Sequence, residues 1–231
     1  MDKFENGLID IVFSGDKAVL TKTNNISLQE FENQLANQIY NGEGLIVDEI
    51  VENSKLPSWA AVFYGLILTR NSLPTASNFS LSYLKKYFDF NEEQRLVRLK
   101  SNKEVVLKRD GVEARLLRSY PSLVRDFHFY LMCSRSNYFD EVSYSLKEDY
   151  FEGIDIKIVH GAKQFSVSLL TDTKRGNSFK SKKVNRHDVP PVNEIIIRFK
   201  LHEKATRKVV SNFFLYSEKH LEDLKIKIHN G

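Results

Sequence analysis

The chain has 231 residues, 42% apolar and 28% charged, with 34 basic against 30 acidic side chains. That suits one globular domain or two small ones. A single cysteine, Cys133, excludes a disulfide framework and a cysteine-based zinc cluster. The longest apolar runs, such as Trp59 to Leu68, fall short of the roughly 18 to 20 residues a membrane span needs. The N-terminal residues lack the basic and apolar regions of a signal peptide, so a cytoplasmic protein is expected.

Short β-like stretches over 8–13 and 18–21 flank the turn signal Ser14-Gly15-Asp16. Ser27-Leu28-Gln29-Glu30 has the spacing of a capping box and predicts a helix to about Tyr40. A second helix is expected over 47–53, and Pro57-Ser58-Trp59 opens a more apolar one to about Arg70. The polar stretch 71–78 reads as a loop and 79–90 as another helix. Arg95–Leu99 and Val105–Lys108, across Ser101-Asn102-Lys103, read as a β-hairpin. Helices followed by a hairpin suggest a mostly helical, winged-helix-like region over 1–110, a recognition or partner-binding unit.

The second half, 111–231, reads as a domain of its own in a mixed α/β (α+β) class. Helix is expected over 112–119 and 121–134, with Pro121 at a first-turn position or a kink. Strands follow over 141–146, 154–159 and 164–173, then a short helix over 179–186. Strands over 193–201 and 212–217 and a final amphipathic helix over 217–227 complete the order α-β-β-β-α-β-β-α.

Charge divides unevenly between these halves. Residues 1–110 carry 13 basic and 15 acidic side chains, and residues 111–231 carry 21 and 15. Six cations (Lys174, Arg175, Lys180, Lys182, Lys183 and Arg186) fall between Lys174 and His187 with no acid among them. Such a run suits a polyanion, because each neutralised phosphate releases counterions.

Strand parity groups the reactive side chains. In Ile154-Asp155-Ile156-Lys157-Ile158 the isoleucines face one side, and Asp155 and Lys157 the other. Asp172 and Lys174, two apart on the next strand, share a face. A turn centred on Gly161-Ala162 pairs Asp155 with Ser168, on the face of Asp172. Four residues, roughly 13 Å, still separate Asp172 from that pairing level, so a bulge, a different turn or strong twist is expected to close the gap. Two carboxylates and an ammonium form a hard-oxygen site for Mg²⁺, with Mn²⁺ as a substitute.

Asp155, sixteen intervening residues, then Asp172-Thr173-Lys174 resembles the PD-(D/E)XK nuclease superfamily, best known from type II restriction endonucleases. That family's core is α-β-β-β-α-β, with the first acid on the second strand and (D/E)-x-K on the third. Residues 112–201 match that order, with Ile154 where the family often has proline. The resemblance implies metal ligation by Asp155 and Asp172, a catalytic Lys174, and an acid from the first helix, for which Glu113 is the candidate. It implies an endodeoxyribonuclease of restriction or phage defence, acting as a homodimer on DNA. Arg175, Lys180, Lys182, Lys183 and Arg186 would hold the DNA backbone. Arg125, with His128 one turn on, would face the site or a phosphate. The rival expectations are a nuclease subunit of a larger transposition or defence complex, and a non-catalytic DNA-binding protein on the same fold.

Overall fold

The structure is a computed structural model. It describes residues 19–20, 26–40, 42, 45–91, 93–145, 148–149, 154–172 and 192–231. The strand expected over 8–13, the helix expected over 179–186 and the cationic run 174–187 lie outside the described residues.

Side-chain caps set the helix starts of the first half. Helix α1 (Leu28–Ala36) begins at Ser27, whose hydroxyl accepts the Glu30 N–H while Glu30 accepts the Ser27 N–H. Helix α2 (Glu49–Asn53) is capped by Asp48 and α3 (Trp59–Arg70) by Ser58. Asn71 ends α3 in the left-handed region, φ 48°. Helix α4 (Ala76–Tyr87) starts three residues earlier than its composition suggests, because Thr75 accepts the Asn78 N–H. A three-stranded antiparallel sheet follows: β2 (Phe88–Asp89), β3 (Leu96–Leu99) and β4 (Val106–Lys108). The expected hairpin is β3–β4, with β2 added to it.

Helix α5 (Arg109–Arg135) has 27 residues and spans about 40 Å. It passes through Pro121 without stopping. Proline has no N–H, so the carbonyl of Leu117, four residues earlier, loses its helical donor. The Tyr40 hydroxyl donates to that carbonyl at 3.1 Å. Asn212 holds Tyr40 from both sides, accepting its N–H at 3.3 Å and donating to its carbonyl at 2.6 Å. Gly42 lies against the same ring, where an added Cβ would sit 2.2 Å from the hydroxyl oxygen. Helix α5 also anchors α2: the Arg115 guanidinium donates to the carbonyls of Val51 and Ser54, and Arg118 pairs with Glu52.

The larger sheet has the order β1-β5-β6-β7-β8, from β1 (Val19–Leu20), β5 (Glu141–Ser145), β6 (Ile156–His160), β7 (Lys163–Thr171) and β8 (Glu194–Phe199). Neighbours are antiparallel except β7 and β8, which are parallel. The turn between β6 and β7 is the expected Gly161-Ala162, with His160 opposite Lys163. Gly161 has φ +58°, which L side chains rarely adopt and this hairpin turn requires. A further hairpin, β9 (Lys208–Val210) and β10 (Phe213–Leu215), leads into α6 (Glu218–Asn230).

Val142, Tyr144, Ile156, Ile158, Phe165, Val167, Ile195 and Ile197 are buried on one face of the larger sheet. The buried apolar residues form one cluster running from Ile26 to Ile228. The boundary expected at 110/111 falls at the start of α5, yet β1 pairs with β5 across it and α1 packs on α5. Among the described residues, no helix is long and apolar enough to cross a membrane.

Candidate active site

The register of the β6–β7 hairpin brings the two aspartates to the same end of the sheet. Ile156 lies opposite Val167, so Asp155, just before β6, falls opposite Ser168 as the turn requires. The Asp155 N–H donates to the Val167 carbonyl at 3.1 Å, and its Oδ2 accepts the Leu169 N–H at 2.6 Å. Asp172 follows β7 directly, and its N–H donates to the Phe199 carbonyl at 2.8 Å, carrying the ladder one residue further. No bulge intervenes between Asp155 and its partner strand. The Asp155 side chain reaches one residue toward Asp172 instead, leaving three residues, about 10 Å of strand, between the bound carboxylate and Asp172.

Arg125 fixes the same strand end from the helix side. Its side chain donates to the Phe214 carbonyl at 2.9 Å and to the Thr171 hydroxyl at 2.7 Å, and it lies 4.3 Å from the Phe199 ring centroid. At 5% exposure it is an internal anchor for the residue beside Asp172, not the phosphate contact expected from its helix position. His128 is likewise fully buried, with Nε2 2.9 Å from the Glu32 carboxylate.

Glu113 does not join the two aspartates. It pairs with Arg109 at 2.8 Å in the first turns of α5. Twelve residues, about 18 Å of helix, separate it from Arg125. The acid of α5 that reaches this end is Asp126. Its charge and those of Asp149 and Asp155 all help raise the pKa of buried Tyr64, after the larger effect of burial. Asp126 and Asp155 act on buried Tyr216 in the same way, again second to burial. Asp149 accepts from the Tyr144 hydroxyl at 3.2 Å, and the Tyr64 and Tyr144 rings lie 4.3 Å apart. Neither Asp126 nor Asp149 stands out in the sequence. Nothing local marks either, because their placement depends on where α5 and the turn before β6 meet the sheet.

A second D-x-K, Asp155-Ile156-Lys157, spans the start of β6, but its lysine pairs with Glu148. Lys174, Arg175, Lys180, Lys182, Lys183 and Arg186 lie outside the described residues. Among the described residues, no group of three or more His, Cys, Asp or Glu side chains converges closely enough to hold a metal ion. Two carboxylates with water and phosphate oxygens completing the shell is nevertheless a common Mg²⁺ arrangement.

No protein-family model, curated protein or solved structure matches the chain.

Proposed function

We propose that this chain is a metal-dependent endodeoxyribonuclease of the PD-(D/E)XK type, serving restriction or phage defence. One observation carries the reading. By register, Asp155 and Asp172 share one face and one end of a sheet in which β5–β6 and β6–β7 pair antiparallel and β7–β8 parallel, after a long helix. The donor set fits a hard divalent cation, being carboxylate oxygen without thiolate or imidazole. Such a cation polarises a phosphodiester and lowers the pKa of water. Asp155 is oriented for this by the Leu169 N–H, and Asp172 by the strand end that Arg125 and Thr171 fix. Lys174, two residues beyond Asp172, would stabilise the negative charge that builds on the phosphoryl oxygens as water attacks phosphorus and the 3′-oxygen departs, giving a 5′-phosphate and a 3′-hydroxyl.

The test is cleavage of plasmid, phage and single-stranded DNA by the purified protein with Mg²⁺ or EDTA, beside Asp172→Ala and Lys174→Ala. Metal-dependent cutting that both substitutions abolish supports the reading. Absence of cutting with Mg²⁺ and with Mn²⁺ overturns it.

A second reading, a DNA-binding protein without cleavage, is favoured by the roughly 10 Å strand offset between the Asp155 carboxylate and Asp172. It predicts DNA binding in EDTA that Asp172→Ala leaves intact, with no cutting under any metal.

A further inference from the structure

The first half of the chain is weakly acidic as a whole, but it splits sharply. Residues 1–69 carry 4 basic and 10 acidic side chains, whereas residues 70–110 carry 9 and 5. The break falls at the last residue of helix α3, just before the connection Asn71–Thr75, helix α4 and the β2-β3-β4 sheet. From Arg70 to Phe88 there are three cations and no acid.

Helix α4 buries Phe79, Ser80, Tyr83, Leu84 and Tyr87 against the core. Its opposite face is polar and small. Ser77, Asn78 and Lys85 are exposed and Ser82 half-buried, with exposed Thr75 just before the helix. The turn of the β3–β4 hairpin is held beside the C-terminal end of this helix. The Lys100 N–H donates to the Tyr87 carbonyl at 2.9 Å, and Lys100 Nζ to the Lys85 carbonyl at 2.8 Å. Lys100 and Lys103 are both exposed on that turn. A helix pair whose second member shows an acid-free face of Asn78, Ser82 and Lys85 around half-buried Leu81, flanked by a hairpin turn that carries Lys100 and Lys103 beside Glu104, suits a DNA major groove. The short Ser and Asn side chains let the helix approach base edges, and the lysines meet the flanking phosphates.

We infer that α4 and the β3–β4 turn form a second DNA-contacting surface, with Ser77, Asn78 and Ser82 toward the bases and Lys85, Lys100 and Lys103 on phosphate. The inference rests on DNA being the ligand, which both readings above share, and is independent of cleavage.

The test is fluorescence anisotropy of the full chain with a labelled DNA duplex in EDTA, so that cleavage cannot intervene. Lys85→Glu/Lys103→Glu is expected to weaken binding at least tenfold and to reduce the slope of log affinity against log salt by about 2. Ser77→Glu, which leaves the buried face untouched, is expected to weaken binding in the same direction. Lys219→Glu, exposed on α6, serves as the control and is expected to bind as the parent does. Equal binding by Lys85→Glu/Lys103→Glu and the parent overturns the inference, as does an absence of duplex binding by the parent. Because binding is read in EDTA, a failure of the nuclease reading appears only in the cleavage assay.

Discussion

The carboxylate of Asp155 accepts the backbone N–H of Leu169 at 2.6 Å. A side chain at the start of one strand thereby ties down its neighbour three residues before Asp172. The two interactions of this carboxylate, backbone and proposed metal, are separable by substitution. Asp155→Asn keeps an oxygen acceptor for Leu169 but removes the negative charge. It is expected to retain the melting temperature within a few degrees while lowering cleavage by about 100-fold or more. Asp155→Ala removes both, and is expected to cost about 1–3 kcal/mol as well, since it leaves a partly buried N–H unpaired. Thermal melts beside a plasmid-nicking assay read both effects, and equal melting losses in the two variants would contradict this assignment.

Arg125 links α5 to Thr171 and Phe214. Arg125→Met preserves much of the packed volume but orphans two acceptors, and is expected to cost about 2–3 kcal/mol. If Arg125 positions Asp172 and does not touch phosphate, DNA affinity in EDTA stays within twofold of the parent. Cleavage per bound complex falls. A salt dependence of binding that weakens in Arg125→Met would instead mark it as a phosphate contact.

Tyr40 and Pro121 act on one carbonyl, that of Leu117, and are expected to couple. Tyr40→Phe leaves the Leu117 carbonyl without the donor it now has, at a cost of about 1 kcal/mol. In a Pro121→Ala background the new alanine N–H can serve that carbonyl, so the same Tyr40→Phe change should cost less. A double-mutant cycle by urea unfolding measures the difference, with a coupling of about 0.5 kcal/mol or more expected. Additive costs would show that the hydroxyl does not replace the missing helical bond.

Acid sensitivity is expected to come from Glu32, His128 and Lys208. The hydrogen bond from His128, aided by Lys208 at 2.6 Å, holds the Glu32 carboxyl down at about 2 from its usual 4.5. Burial pulls the His128 imidazole below its usual 6.5, against the pull of Glu32. For Glu32 the stabilisation is complete above about 4.5 and lost as pH falls toward 2. For His128 the unfolded chain takes up its proton first, so stability starts to fall as pH drops below 6.5. Both slopes have the same sign, so stability should rise with pH from about 2 to about 6.5. Glu32→Gln is expected to flatten the part below pH 4.5 and keep the part above it. Melting temperatures across that range test this, and a parent-like slope below pH 4.5 in the variant would refute it.

Local signals carried much of the fold. The alternation in Ile154–Val159 and the Gly161-Ala162 turn fixed the register that sets Asp155 opposite Ser168. Ser27-x-x-Glu30 marked the start of α1. The misses share a different cause, which is dependence on distant partners. Pro121 read as a first-turn position or a kink, and the helix runs through it, with Tyr40, 77 residues before Leu117, supplying the donor that the proline lacks. Glu113 and Asp126 sit on the same helix, and only the crossing of that helix over the sheet separates them. Arg125 and His128 read as facing the site or a phosphate, but α5 buries residues around most of its circumference. The strands β2 and β9, of two and three residues, are too short to display a period.

Strand β1 has a consequence for how the chain is made. Val19 pairs with Ser145, so 126 residues of synthesis separate the two. During translation β1 emerges first and waits for its partner, whereas β6 and β7 can zip together across two residues as soon as they leave the ribosome. Until β5 emerges, β1 keeps unpaired backbone groups, and neighbouring nascent chains on one message carry the same segment. Cold, slow expression should therefore improve recovery of this protein more than a faster promoter does.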